Sequence, residues 1–188
     1  MTTKKKNTGI SKTLHSINAR TSPNDKIMTP KELAKKIIDS VEWEDGEIVL
    51  DSCRGEGSFY NQLPNNVNKI WCEIDEGKDF YNCNELLNTI IQNPPYSHLN
   101  NWFDKCKELN PKRMCFLLHM YALTDTRIKN FENVGYIIYK LDITKVHEWF
   151  GHQVVVWFGK KEIYGNSIIG NLGRYKRNKD GVYIKQIT

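Results

Sequence analysis

Apolar residues along this chain gather in short continuous runs separated by polar, turn-forming stretches. EIVLDS (47–52), an apolar run with β-branched residues, predicts a strand, and KIWCEI (69–74), NTIIQ (88–92), RMCFLLHM (113–120), GYIIYKL (135–141) and QVVVWFG (153–159) are the next expected strands. Several are apolar throughout rather than alternating, the pattern of a sheet covered on both faces. Helical spacing appears between them. In TPKELAKKIIDSV, Leu33, Ile37, Ile38 and Val41 share one face, with Thr29 expected as N-cap, Pro30 at the first helical position and Glu32 three residues after the cap. LNNWFDKCKELN (99–110) and a piece near 124–131 are further expected helices. Strands alternating with helices point to an α/β fold with a mostly parallel sheet. Residues 1–24 read as a flexible basic arm, 25–160 as one domain, and 161–188 as a basic extension of it that forms either a hairpin or a loose tail.

Composition narrows the possibilities. No apolar run in the 188 residues approaches the roughly 18 needed to span a bilayer, and the basic N-terminus has no apolar stretch behind it, so neither a membrane span nor a secretory signal is expected. The five cysteines lack a C-x-x-C spacing, which argues against a metal site and for reduced thiols in a cytoplasmic setting, or a nuclear or viral one in a eukaryotic system. The net charge of +5 is unevenly spread: residues 1–36 carry nine Lys/Arg against two Asp/Glu, residues 160–188 seven against two, and the middle is acidic. Basic ends around an acidic middle suit a chain that grips a polyanion with its ends.

Chemistry is concentrated at three expected strand ends. Asp51-Ser52-Cys53-Arg54-Gly55-Glu56-Gly57-Ser58-Phe59 follows the first strand, and a G-x-G there lets the backbone turn sharply and approach a ligand. Glu73, at the end of the second strand, stands where an acidic side chain can accept hydrogen bonds from ribose hydroxyls. A dinucleotide fingerprint would need a third glycine where Tyr60 stands, and Asp51 would repel a pyrophosphate; it suits a positively charged ligand, or else is an ordinary turn residue. Asn93-Pro94-Pro95-Tyr96 lies just past NTIIQ, the expected end of a fourth strand. Asn-Pro-Pro is a common turn-former. It also supplies a side-chain carbonyl and a rigidly held backbone carbonyl beside an aromatic ring. Such a set can accept both N–H bonds of a conjugated amino group and concentrate electron density on its nitrogen.

With these motifs in this order, the chain resembles the small N6-adenine DNA methyltransferases of phages and mobile elements, over about residues 24–160. The family's Thr-Pro helix start matches Thr29-Pro30, its D-P-x-x-G-x-G-x-F loop matches Asp51 to Phe59 with Ser52 in place of Pro, its acidic strand end matches Glu73, its Asp-Phe pair matches Asp79-Phe80, and its N-P-P-Y matches 93–96 unchanged. The resemblance implies a Rossmann-like class I methyltransferase fold, with a seven-stranded, mostly parallel sheet flanked by helices and an antiparallel last strand. It implies S-adenosylmethionine as cofactor and no metal. Asp51, Gly55 and Gly57 would surround its methionyl part under Thr29-Pro30, Phe59 would also be cofactor-binding, Glu73 would hold the ribose, and Asp79 and Phe80 the adenine. Asn93, Pro94, Pro95 and Tyr96 would be catalytic. The implied partner is DNA, with RNA and protein glutamine as alternative substrates, or a non-catalytic nucleic-acid-binding module on the same scaffold. Only about thirty residues follow the last expected strand, so a protein partner could supply target recognition, with the arm and Arg174, Lys176 and Arg177 meeting phosphates. Trp149-Phe150, before the last strand, could wedge or stack, with core packing the expected role, and His119 and His147 are read as lacking partners at catalytic spacing.

Overall fold

In the computed structural model, the residues described are 27–169, 175–177, 179 and 183–185; the arm at 1–24 and Arg174 lie outside them. The strands are β1 (Ile48–Asp51), β2 (Asn68–Trp71), β3 (Thr89–Gln92), β4 (Arg113–His119), β5 (Tyr136–Thr144), β6 (Gln153–Lys160), β7 (Tyr175–Arg177) and β8 (Tyr183–Lys185); the helices are α1 (Lys31–Asp39), α2 (Leu99–Glu108), α3 (Asp125–Glu132) and α4 (Lys161–Tyr164). Six strands make one sheet in the order β2-β1-β3-β4-β6-β5, and β6 runs antiparallel to β5. The sheet therefore has six described strands where seven were expected. Between β2 and β3 the chain makes an isolated Glu73–Lys78 bridge and two 3₁₀ turns, Ile74–Glu76 and Phe80–Asn82. That polar stretch has no β-branched run to form a strand and no helix to return it in parallel. The chain divides into two compact units at Leu117–Leu118.

In the first unit β1 pairs in parallel with β2 and β3, and β3 with β4. The continuous apolar runs are buried as expected: Val49, Leu50, Ile90, Ile91 and Met114 to Leu117 have no exposed surface. α1 buries Ala34, Ile37 and Ile38. It begins one residue later than the sequence suggests: Pro30 is the N-cap residue, and Thr29 is buried with its carbonyl accepting a 2.6 Å hydrogen bond from the Ser58 hydroxyl. It ends before Val41, where the Ser40 hydroxyl donates back to the Ile37 carbonyl at 2.7 Å. α2 buries Leu99, Trp102, Phe103 and Cys106, and Phe103 meets Phe116 of β4 edge-on at 4.9 Å. Below the sheet, at the amino ends of β1, β3 and β4, Arg113 binds both Glu47 oxygens at 3.0 Å, the Thr89 hydroxyl at 2.9 Å and the Glu42 carbonyl at 2.9 Å.

In the second unit the Thr124 side chain caps α3, and Phe131 stacks on Phe158 at 4.1 Å. β5 and β6 form an antiparallel ribbon with an irregularity between Ile138 and Lys140. Phe150 departs from its expected core role. It is 78% exposed, stacked at 6.4 Å on Tyr121, itself 74% exposed. It stands in the β5–β6 loop, where Gly151 turns the chain at φ 62° and no layer of this unit covers the ring. β7 and β8 pair antiparallel, so the hairpin alternative holds for the extension; the backbones of Lys176 and Arg177 lie in it. Among the described residues no helix is long and apolar enough to cross a membrane, and no group of His, Cys, Asp or Glu could hold a metal ion. The five cysteines are free thiols.

Candidate active site

Parallel pairing puts the carboxyl ends of β1, β2 and β3 on one rim, because Asp51 is level with Trp71 on one side and Ile91 on the other. The tetrapeptide thus follows the third strand of the chain, not the fourth. Beside this rim a cavity of about 310 Å³ opens within the first unit. Thr29, Gly55, Phe59 and Glu73 line it, as do Asp79, Phe80, Asn93 and Pro95. Pro30, Asp51, Gly57, Pro94 and Tyr96 are outside the lining.

The glycine loop is shaped by backbone needs. Gly55 and Gly57 have φ of 51° and 81°, a region that side chains disfavour. A Cβ on Gly55 would also stand 2.8 Å from the Met28 sulfur, and one on Gly57 2.5 Å from Asn61 Nδ2. The Gly55 N–H donates to Glu73 Oε2 at 2.7 Å, and the Asp75 N–H to Glu73 Oε1 at 3.3 Å. The carboxylate at the end of β2 is therefore held against the loop that leaves β1. Asp51 sits behind the wall, 1% exposed. Its Oδ2 accepts the Tyr60 N–H at 3.1 Å, and its Oδ1 is buried without a partner. Burial pushes its carboxyl up to about 7, against the N–H groups of Tyr60 and Cys53 that hold it down; the nearby Glu73 charge adds to the rise.

At the tetrapeptide, Asn93 Nδ2 donates to the Ile27 carbonyl at 3.0 Å, and the Asn93 backbone carbonyl accepts the Cys53 thiol at 3.1 Å. Asn93 Oδ1 is shielded from solvent and has no partner. Pro94 is buried, and Tyr96 opens the 3₁₀ turn Tyr96–His98 that leads into α2. Across the cavity, Asp79 Oδ1 accepts the Tyr81 N–H at 3.0 Å and so caps the turn that carries Phe80. Phe80 lies 4.5 Å from the Trp102 ring at 30°.

Trp102, His98, Met28 and Cys53 also line the cavity, and the sequence reading did not assign them to it. Trp102 is hidden in a stripe with Leu99, Phe103 and Cys106 that reads as ordinary core. Its Nε1 donating to buried Gln92 Oε1 at 2.5 Å is visible only in the fold. The charge of the wall is lopsided: Glu73, Asp75, Glu76 and Asp79 contribute carboxylates, and Arg54, ion-paired to Glu76, is its one guanidinium.

The sequence matches no family model and no curated protein. Solved structures do resemble the fold. The E. cuniculi Mtq2–Trm112 complex, responsible for methylation of the eRF1 translation termination factor, matches with TM-score 0.52 at 17% identity over 72% of this chain and 98% of that one. A tRNA m1G37 methyltransferase of M. jannaschii matches with TM-score 0.54 at 16% identity, over 71% of this chain and 49% of that one. A modification subunit assigned to a type I restriction enzyme of Vibrio vulnificus matches with TM-score 0.56 at 12% identity, over 92% of this chain and 53% of that one. At such identities the likeness speaks for the fold alone: the chain has the Rossmann-like α/β fold that these methyltransferases share.

Proposed function

We propose that this chain is an S-adenosylmethionine-dependent methyltransferase whose target is N6 of adenine in DNA. The observation that carries the reading is an acidic cavity at the rim of β1, β2 and β3 with Asn93 in its wall and Asn93 Oδ1 buried beside it without a donor. Four carboxylates would repel a pyrophosphate and favour a ligand with cationic amino and sulfonium groups. The orphaned acceptor Asn93 Oδ1 fits a target that brings an N–H donor. A buried acceptor left unpaired costs about 1–3 kcal/mol, so a site keeps one where a donor is to arrive.

In this reading Glu73 holds the ribose hydroxyls, Asp79 the adenine amino group, and Phe80 packs on the adenine ring. Asp51 backs the cationic end behind Gly55 and Gly57, and Thr29-Pro30 and Phe59 close that part of the site. S-adenosylmethionine, when bound, supplies a methyl group on a cationic sulfur. The chain's own task is to make a conjugated nitrogen reactive. Asn93 Nδ2 is committed to the Ile27 carbonyl, which leaves Oδ1 as the end of the amide open to an incoming N–H. Asn93 Oδ1 and the Pro94 carbonyl accept the two amino hydrogens, and the nitrogen becomes more tetrahedral and its lone pair less delocalised. Pro95 stiffens the acceptors and Tyr96 stacks on the base. Because Oδ1 is shut off from water in this state, entry of the target has to open it. An adenine in a duplex must also leave the stack, at a cost of a few kcal/mol that single strands avoid. Arg174, Lys176, Arg177 and the basic arm are the proposed phosphate contacts, and a protein partner would share target recognition.

A second reading, methyl transfer to a protein glutamine, is favoured by the likeness to a chain of the Mtq2–Trm112 complex, which methylates a protein and 98% of which this chain covers. Tritiated methyl transfer to duplex DNA, single-stranded DNA, RNA and protein in parallel decides between them. N6-methyladenine in DNA supports the first reading; label in protein alone replaces it with the second. A chain that binds no S-adenosylmethionine by calorimetry would end both.

A further inference from the structure

Ser52 and Cys53 stand between Asp51 and Gly55, and the resemblance gives them no part: the family pattern has proline where this chain has Ser52. The fold uses both side chains. β1 and β3 are parallel neighbours, and their backbone pairing ends at Asp51 with Ile91. One step further, the Ser52 hydroxyl donates to Gln92 Oε1. One more step, the Cys53 thiol donates to the Asn93 backbone carbonyl at 3.1 Å. Side chains thus continue the ladder past its end, tying two consecutive residues of the glycine loop to Gln92 and to Asn93, which carries the proposed acceptor. Proline at 52 could not donate the first of these bonds.

Gln92 makes the tie stiff. It is fully buried; its Oε1 also accepts Trp102 Nε1 at 2.5 Å, and its Nε2 donates to Cys106 Sγ at 3.2 Å. Trp102 in turn packs on Phe80. One buried amide therefore joins the glycine loop, the root of the tetrapeptide and the aromatic wall.

We propose that Ser52 and Cys53 are positioning residues that make the glycine loop and Asn93 move as one, so that a cofactor seated in the loop sets the angle of the Asn93 amide toward its target. The proposal rests on the methyltransferase reading, but the coupling can be observed without any transfer. A mutual tie of this kind is a two-way effect: what biases the loop biases the amide.

The test follows the side-chain NH₂ signal of Asn93 in full-length ¹⁵N-labelled protein, assigned by its loss in Asn93→Ala, with S-adenosylhomocysteine as probe. In the wild type the signal shifts on saturation. In Ser52→Ala and in Cys53→Ala the shift should fall by half or more while the calorimetric Kd for the probe changes less than threefold. Ser52→Thr and Cys53→Ser keep a donor and should restore it, which separates lost coupling from lost folding. In transfer assays the double alanine variant should lose about tenfold in kcat with KM for cofactor within threefold. A wild-type shift in the alanine variants overturns the coupling. So does a Kd that weakens in step with kcat, which would make the contacts merely structural. A wild-type protein that binds no probe overturns the methyltransferase reading itself, a result distinct from binding without coupling.

Discussion

At the amino ends of β1, β3 and β4, Glu47, Thr89 and Arg113 share a closed set of hydrogen bonds; at the carboxyl ends of β1 and β3, Asp51 and Asn93 each keep an oxygen with no donor. Both ends bury polar groups, and the strands between them are uniformly apolar. The amino end resolves its charges internally: the guanidinium meets a carboxylate, a hydroxyl and a carbonyl, and the Trp43 ring lies 4.8 Å away. The carboxyl end does not. A fold tolerates that imbalance where a ligand is to complete it, so in the proposed reading one end of the sheet serves stability and the other chemistry.

The largest expected effect tests the carboxyl end. Asn93→Ala should reduce methyl transfer by about 10²–10³-fold, the range for removing one preorganised partner of a transition state, and leave cofactor affinity within a few fold. Parallel kinetics and calorimetry check this; equal losses in both would place Asn93 with the structural residues and erase the contrast. At the amino end, Arg113→Met should lower unfolding free energy by about 3–5 kcal/mol, because Glu47 is left as an uncompensated buried charge. Urea denaturation measures it, and a folded variant should still bind S-adenosylhomocysteine normally.

Asp51 allows a finer comparison through pH. Its carboxyl ionises near 3.8 in the ordinary case and near 7 in the fold, since burial outweighs the N–H groups of Tyr60 and Cys53. Between those values the folded chain holds a proton that the unfolded chain has lost, so this group's contribution makes stability fall as pH rises from about 4 to about 7. The slope is about 1.4 kcal/mol per pH unit at most. Asp51→Asn should therefore flatten the pH dependence of stability relative to wild type in that window, and urea titrations at pH 5 and pH 7 would show it. A cationic ligand beside the carboxylate favours ionisation, so binding near pH 6 should release up to about one proton, seen as buffer-dependent binding heat.

Much of the fold was legible because burial on both sheet faces leaves a plain mark, as in VVVWF or RMCFLL. What escaped was what depends on neighbours far along the chain. The seventh strand was carried over from a family pattern, and the polar stretch from Lys78 to Asn88 has nothing to build it. Phe150 looked like core because exposure of an aromatic cannot be read from its own neighbours in sequence. At the site, Gly55, Glu73, Asp79, Phe80 and Asn93 were legible as motif positions, and the fold brings them to one cavity. Trp102 and Gln92 were not: a tryptophan on a helical stripe and a glutamine ending an apolar strand gain meaning only when 2.5 Å separates them.

The smallest expected effect sharpens the contrast at the amino end, where two neighbouring cations, a lysine and an arginine, stand in different surroundings. Lys112 Nζ meets Glu44 Oε2 at 3.0 Å on the surface; Arg113 meets Glu47 at the same distance in the interior. The Lys112 hydrogen bond and charge hold the Glu44 carboxyl below its usual range, yet both partners are open to water and salt. Lys112→Ala should leave the urea midpoint indistinguishable from wild type in 0.15 M salt, and any small loss at low salt should vanish as salt is added. The Arg113→Met loss should persist across the same salt range, because a buried pair is screened far less. If removing Lys112 cost as much as removing Arg113, burial would not be what distinguishes the two pairs. The closed network around Glu47 would then lose its standing as the stabilising end of the sheet.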